Sequence, residues 1–195
     1  MTEVYTRRTL VALCTAIGAA SCSSPNPVLY TVAPVPGPVR NGGPKVVALH
    51  EVNVAHYLDR SHIVRSSENY RLDVAGNDWW GESPGAMLTR VLVEELSQRL
   101  PHSTVYASGG AVSATPDATV ELDIQRMDLD GAGILVLIAQ VGVSFRTRPS
   151  DRVRRFRFDV RPSGASVSAQ VAATSAAVGQ LADGIAGMLV APGAR

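Results

Sequence analysis

Three segments in the middle of the chain alternate apolar with polar positions. Val120, Leu122 and Ile124 are interleaved with Glu121, Asp123 and Gln125; Val141, Val143 and Phe145 with Gln140, Gly142 and Ser144; Phe156, Phe158 and Val160 with Arg155, Arg157 and Asp159. A period of two collects the apolar side chains of each strand on one face. The spacing predicts an antiparallel meander, with Pro149-Ser150-Asp151 turning its second strand into its third. Its apolar face needs a cover. Leu88, Leu92, Leu96 and Leu100 recur every fourth residue, behind Ser83 as a cap and Pro84 in the first turn, and Pro101 ends that helix. Val167, Val171, Val178, Leu181, Ile185 and Leu189 follow helical spacing among alanines and predict a second, longer one.

Upstream, Val28 to Val32 and Lys45 to Leu49 have the composition of strands, separated by a Pro- and Gly-rich loop from Pro34 to Pro44. Ile63-Val64 and Tyr70 to Val74 read as a hairpin turned by Ser66-Ser67-Glu68-Asn69. Residues 28–192 therefore form one α/β domain, a mixed sheet covered by two helices, without internal repeats.

The N-terminus has a different character. Arg7 and Arg8 precede an apolar stretch from Leu10 to Ala20 that is too short to span a bilayer, and Ala19-Ala20-Ser21-Cys22 follows it. This is the layout of a lipoprotein signal peptide over residues 1–21, cut before an acylated Cys22, with 22–27 as a tether. Ala19 stands where such signals most often carry Leu. Cys14 would leave with the signal, so no internal disulfide is expected. No segment after residue 22 reads as a transmembrane helix, and a formal net charge of +1 argues against nucleic acid as a partner.

Candidate chemistry is sparse. His50, His56 and His62 recur every sixth residue, on no common helical face, and no HExxH or Cys/His grouping accompanies them. Gly81-Glu82-Ser83-Pro84-Gly85 places Pro where a nucleophile elbow turns, and Gly109-Gly110 lacks a phosphate-loop Lys. No catalytic residue, metal site or cofactor is expected. Arg146, Arg148, Arg152, Arg154, Arg155, Arg157 and Arg161 read either as a solvated sheet face or as a surface for anionic headgroups or an acidic partner. Trp79 and Trp80 point opposite ways in an extended chain, so one reads as core and the other as interface, or both pack within the fold. Tyr57-Leu58-Asp59-Arg60 reads as a subunit contact or as a loop held by an internal Asp–Arg pair.

Leu29-Tyr30-Thr31-Val32, Tyr57-Leu58-Asp59-Arg60 with Ile63-Val64-Arg65, Asp78-Trp79-Trp80-Gly81-Glu82 and Leu92 to Leu100 stand in that order behind a lipoprotein signal. In this the chain resembles the PqiC-type auxiliary lipoproteins of ABC and MCE lipid transport systems. Ala55 replaces an expected Pro, and Ser61-His62 replaces Pro-Gln. The resemblance implies a three-layer α/β fold with a mixed sheet and flanking helices, similar to the N-terminal domain of TolB. It implies an outer-membrane lipoprotein facing the periplasm, beside an inner-membrane permease and an MCE-domain tunnel protein, in a homo-oligomeric ring. Phospholipid is a candidate ligand, and Tyr57, Leu58, Asp59, Arg60, Trp79 and Trp80 are candidate partner contacts. Ser23, rather than Asp, after Cys22 fits outer-membrane sorting. The competing reading is an envelope structural or assembly lipoprotein without a transport role.

Overall fold

A computed structural model describes residues 26–112 and 114–190. The signal peptide, Cys22 and the first residues of the tether lie outside them. The described chain forms β1 (Val28–Tyr30), β2 (Val46–Leu49), β3 (Asn53–Val54), β4 (His62–Ser66), β5 (Asp73–Trp80), helix α1 (Pro84–Arg99), β6 (Thr104–Ala107), β7 (Ala118–Leu129), β8 (Leu135–Phe145), β9 (Arg148–Val160) and helix α2 (Val167–Val190).

All the strands join one mixed sheet, and β7 is its axis. One edge of β7 pairs antiparallel with β8 from Ala118–Phe145 to Leu129–Leu135, and β8 pairs with β9. The other edge is shared end to end by β2, β3 and β4, all parallel to β7. β6 extends the sheet beyond β2, while β5 and then β1 extend it beyond β4. Alternation sorts the meander as the sequence predicts. Val120, Leu122, Ile124, Val141, Val143 and Phe156 face the core, while Glu121, Gln125, Gln140 and Arg155 face solvent.

Both helices pack on each other and on the core face. Leu88, Leu92, Leu96 and Leu100 are fully buried, each contributing about 1.5–3 kcal/mol of apolar burial. Ser83 stands at the N-cap, but its side chain makes no capping bond, and Pro84 opens the helix. α2 is long and apolar enough to cross a bilayer by composition, against the expectation that no such segment follows residue 22. The fold accounts for that composition: Val171, Val178, Leu181, Ile185 and Leu189 are buried against the sheet and α1, and small residues bury the adjoining faces.

Several boundaries differ from the sequence expectation. β9 contains Pro149-Ser150-Asp151, and the chain turns at Arg146-Thr147 instead. β9 is an edge strand, where a proline without an N–H need not break a ladder. β5 continues past Val74 through Gly76-Asn77-Asp78, residues poor in strand propensity, because β1 and β4 pair with it on both sides. β3 and β6 have no clear signal of their own and exist by pairing to β7 and β2. β1 ends at Tyr30, and the following segment leaves the sheet to lie across both helices.

That segment is held by a buried arginine. Arg99, 1% exposed, donates from Nε to Asp183 Oδ1 at 2.5 Å, from Nη1 to the carbonyls of Val35 and Glu95 at 3.1 Å, and from Nη2 to the Gly179 carbonyl at 3.0 Å. The Arg40 N–H returns a bond to the Arg99 carbonyl, and Ala33 N–H donates to Ser175 Oγ. A buried guanidinium is tolerable only when its donors are met, and here acceptors from three segments take four of its five N–H groups, with each nitrogen bonded. Gly37 is required at the crossing, since a Cβ there would lie 2.2 Å from Arg99 Nη2, which cannot retreat. Layers thus follow one another as sheet, helix pair and the crossing strap 31–40.

Beside Arg99, the fully buried Glu95 accepts from the Val35 N–H at 2.8 Å through Oε1, while Oε2 has no partner among the described residues. Burial pushes its pKa up from the ordinary 4.5 to about 7, opposed by the Val35 bond and by Arg99. The folded protein therefore holds this proton more tightly than the unfolded chain. Its stability contribution is complete below pH 4.5 and is lost as pH rises through about 7, a total of roughly 3 kcal/mol. Urea unfolding at pH 5 and pH 8 should show this decline, and Glu95→Gln should flatten that part of the profile.

Candidate functional site

After β3, the chain leaves the edge of β7, loops through residues 56–61 and rejoins the sheet as β4. That excursion carries Tyr57-Leu58-Asp59-Arg60 to the end of β4 where Trp79 and Trp80 lie on the neighbouring strand. The Trp80 N–H donates to the Ser61 carbonyl at 2.7 Å, and the His62 and Trp79 rings lie 4.8 Å apart at a tilt of 50°. Two motifs separated in sequence are thereby brought together.

The individual side chains divide into structural and outward-facing sets. Leu58 and Trp80 are buried in the core. Trp79, on the opposite face of β5, is half-buried, and its Nε1 is shielded yet has no acceptor among the described residues. Asp59 and Arg60 are exposed, and no ion pair joins them among the described residues. Backbone turns hold the loop instead, with Leu58 N–H donating to Ala55 and Arg60 N–H to Leu58.

Tyr57 has a different task. Its hydroxyl donates to Asp128 Oδ2 at 3.0 Å, Arg126 Nε donates to Asp128 Oδ1 at 2.8 Å, and Arg126 Nη2 reaches Glu68 Oε1 at 2.6 Å. Asp128 is fully buried, so both its oxygens need these donors. Burial first, and the Asp128 charge second, push the Tyr57 phenol up to about 12, so it remains a donor throughout the neutral range. A shift of register between Ile124 and Arg126 places Arg126 and Asp128 on the sheet face away from the helices. The sequence carries a trace of this: apolar parity changes from even at Ile124 to odd at Met127 and Leu129.

Beside the converging motifs, a cleft of about 410 Å³ opens between the 51–54 segment and the start of α1, lined by Glu51, Asn53, Asp59, Ser83 and Gly85. The close approach of the two segments depends on Gly85, where a Cβ would meet the Val52 carbonyl at 2.8 Å. Thr89 Oγ1 completes the seam by accepting from the Val52 N–H. Two carboxylates on the rim suit a basic or hydrogen-bonding partner group. Among the described residues no group of three or more His, Cys, Asp or Glu is placed to hold a metal.

Four of the seven arginines in and around β9 are engaged within the molecule. Arg146 pairs with Asp117, Arg157 with Asp159, Arg152 donates to the Met188 carbonyl at the end of α2, and Arg154 lies over the Phe156 ring. This favours the solvated-face reading over a dedicated anion surface.

The sequence model of a family described as the ABC-type transport auxiliary lipoprotein component matches residues 29–186. No curated protein matches in sequence. Crystal structures sharing the fold include the following two. One, of an uncharacterized protein, is 18% identical with a TM-score of 0.69, over 83% of this chain and 97% of the other. The second, XCC0632 of Xanthomonas campestris, a DUF330 protein, is 17% identical with a TM-score of 0.69, over 84% and 94%.

Replacing Tyr57 by Phe should leave one oxygen of buried Asp128 without its donor and cost about 1–3 kcal/mol in thermal or urea unfolding. An unchanged melting curve would refute the structural role given to Tyr57.

Proposed function

Because the chain belongs to the ABC-type transport auxiliary lipoprotein family, with residues 29–186 matched, we propose that it is the lipid-anchored, outer-membrane component of an intermembrane lipid transport system. Family membership supports a part in ABC-type transport and a lipoprotein's attachment to a membrane. The finer reading is that acyl chains on Cys22 hold the domain at the periplasmic face, where it docks the conduit formed by an MCE-domain tunnel protein above its inner-membrane permease. Copies of the chain would assemble there as a ring, with phospholipid as the cargo that passes.

The observation that carries this reading is the family match over nearly the whole folded domain, behind a leader that reads as a signal peptide over residues 1–21. Several acyl chains on one residue anchor stably where a single chain does not, at about 0.8 kcal/mol per buried methylene. Contact rather than bond-making is the proposed mode of action. Asp59, Arg60 and Trp79 are the proposed partner contacts, since Leu58 and Trp80 are committed to the core and Tyr57 to Asp128. An aromatic ring whose N–H has no acceptor among the described residues, next to an exposed ion of each sign, has the composition of an interface hot spot.

Cys22→Ala should leave the signal uncut or release the protein from membranes, checked by fractionation and mass of the N-terminus. Trp79→Ala should weaken capture of the MCE partner by about 2 kcal/mol, roughly thirtyfold, with a smaller change in melting. Crosslinking in cells that recovers no transport component would remove the support for the docking role.

A further inference from the structure

The hairpin joining β4 to β5 ends in a strained turn. Asn69 and Tyr70 take consecutive left-handed conformations, φ 55° and 61°, and the Arg71 N–H donates to the Glu68 carbonyl at 3.2 Å. This is the pattern of a type I′ turn, whose second central position ordinarily belongs to Gly. Tyrosine there is an unfavourable choice for the fold. Its side chain is also fully exposed, while Leu72 beside it is 41% exposed and Arg71 is exposed as well. The turn is nonetheless held firmly from below: Glu68 is gripped by Arg126, Arg126 by Asp128, and Asp128 by Tyr57. Arg65, on the adjoining strand, bonds the Ala165 carbonyl across to the loop before α2.

Strand direction relates this tip to the tether. β1 runs parallel to β5, with Val28 beside Asp78 and Tyr30 beside Trp80. Traced backwards, the chain therefore heads along β5 towards its start, which is the hairpin tip, and Asn77 Nδ2 bonds the Asn26 carbonyl on that course. Cys22 is four residues before Asn26 and can lie at most about 14 Å from it.

We propose that Tyr70, Arg71 and Leu72 form a second membrane contact, seated in the headgroup layer of the same bilayer that holds the acyl chains of Cys22. Tyrosine places an apolar ring with a polar tip at that depth, arginine meets lipid phosphate, and leucine enters the acyl boundary. Acyl chains at Cys22 alone do not fix the orientation of the domain; a second contact sets which end faces the membrane. It would direct the opposite end of β5, with Trp79, Asp59 and Arg60, away from the bilayer. The inference rests on the anchor reading of Cys22 given above.

The test uses the full-length, exported protein reconstituted in vesicles of phosphatidylethanolamine and phosphatidylglycerol. With Cys14 removed and Cys22 acylated, a cysteine at Tyr70→Cys or Leu72→Cys is the sole free thiol for a spin label, and Val153→Cys, on the exposed sheet face, is the control. Collision with a water-soluble nickel chelate should fall at least about threefold at both tip positions relative to Val153, with oxygen collisions rising, as interfacial depth requires. Tyr70→Gly, which relieves the turn, should not lower the melting temperature. If mass spectrometry shows an acylated N-terminus while the tip labels remain as water-accessible as Val153, this inference is overturned and the anchor stands. An unmodified N-terminus overturns both. Labels mobile on vesicles but immobilised in whole envelopes would assign the tip to a protein partner and overturn the lipid contact.

Discussion

The parallel ladder along one edge of β7 is the constraint on which the architecture depends. A single strand of this length offers more edge than any one of the short upstream strands can fill, so β2, β3 and β4 share it in sequence. Between them the chain must depart and return, since every unpaired edge group needs a partner or water. The departures become the 50–52 segment against α1 and the 56–61 loop beside Trp79. The positions with the most evident capacity for contact are thus consequences of how an edge is filled.

The second organising feature is the Arg99 guanidinium between α1 and α2. Two helices with small residues along their seam leave a groove that an apolar side chain could fill more cheaply. Arginine instead binds the strap 31–40, Glu95, Gly179 and Asp183 together, so the segment that follows the tethered strand is fixed to the helical layer. Burial of the accompanying Glu95, whose Oε2 has no partner among the described residues, makes the strap's attachment sensitive to proton concentration near neutrality.

Along β5 these features separate two ends of about 26 Å, the span of eight strand residues. One end holds the I′ turn and the direction from which the tether arrives; the other holds Trp79 with Asp59 and Arg60. Under the proposed reading, a lipoprotein bridging a membrane and a conduit needs two unlike ends held at a fixed distance. A twisted sheet backed by helices supplies that rigidity, because its core is packed and its ends differ in chemistry.

Local pattern determined much of this protein. The period of two in Val120 to Phe158, the leucines of α1 and the apolar spacing of α2 named the meander, both helices and the inward faces, because burial on one side imposes a periodicity any sequence must show. The short strands β3 and β6, the reach of β5 through Gly76-Asn77-Asp78 and the place of Pro149 inside β9 were decided only by pairing partners distant in the chain. Proximity of Tyr57-Leu58-Asp59-Arg60 to Trp79-Trp80 could be suspected of two unusual motifs but not seen in either. The roles within them were decided by tertiary structure as well: Tyr57 serves buried Asp128, and Trp80 serves the core. Likewise, nothing in Arg99 or Tyr70 as residue types distinguishes a buried tie from a surface charge, or an exposed tip from a core ring. Burial and backbone sign are properties of the surroundings, which a chain acquires only when its remote segments meet.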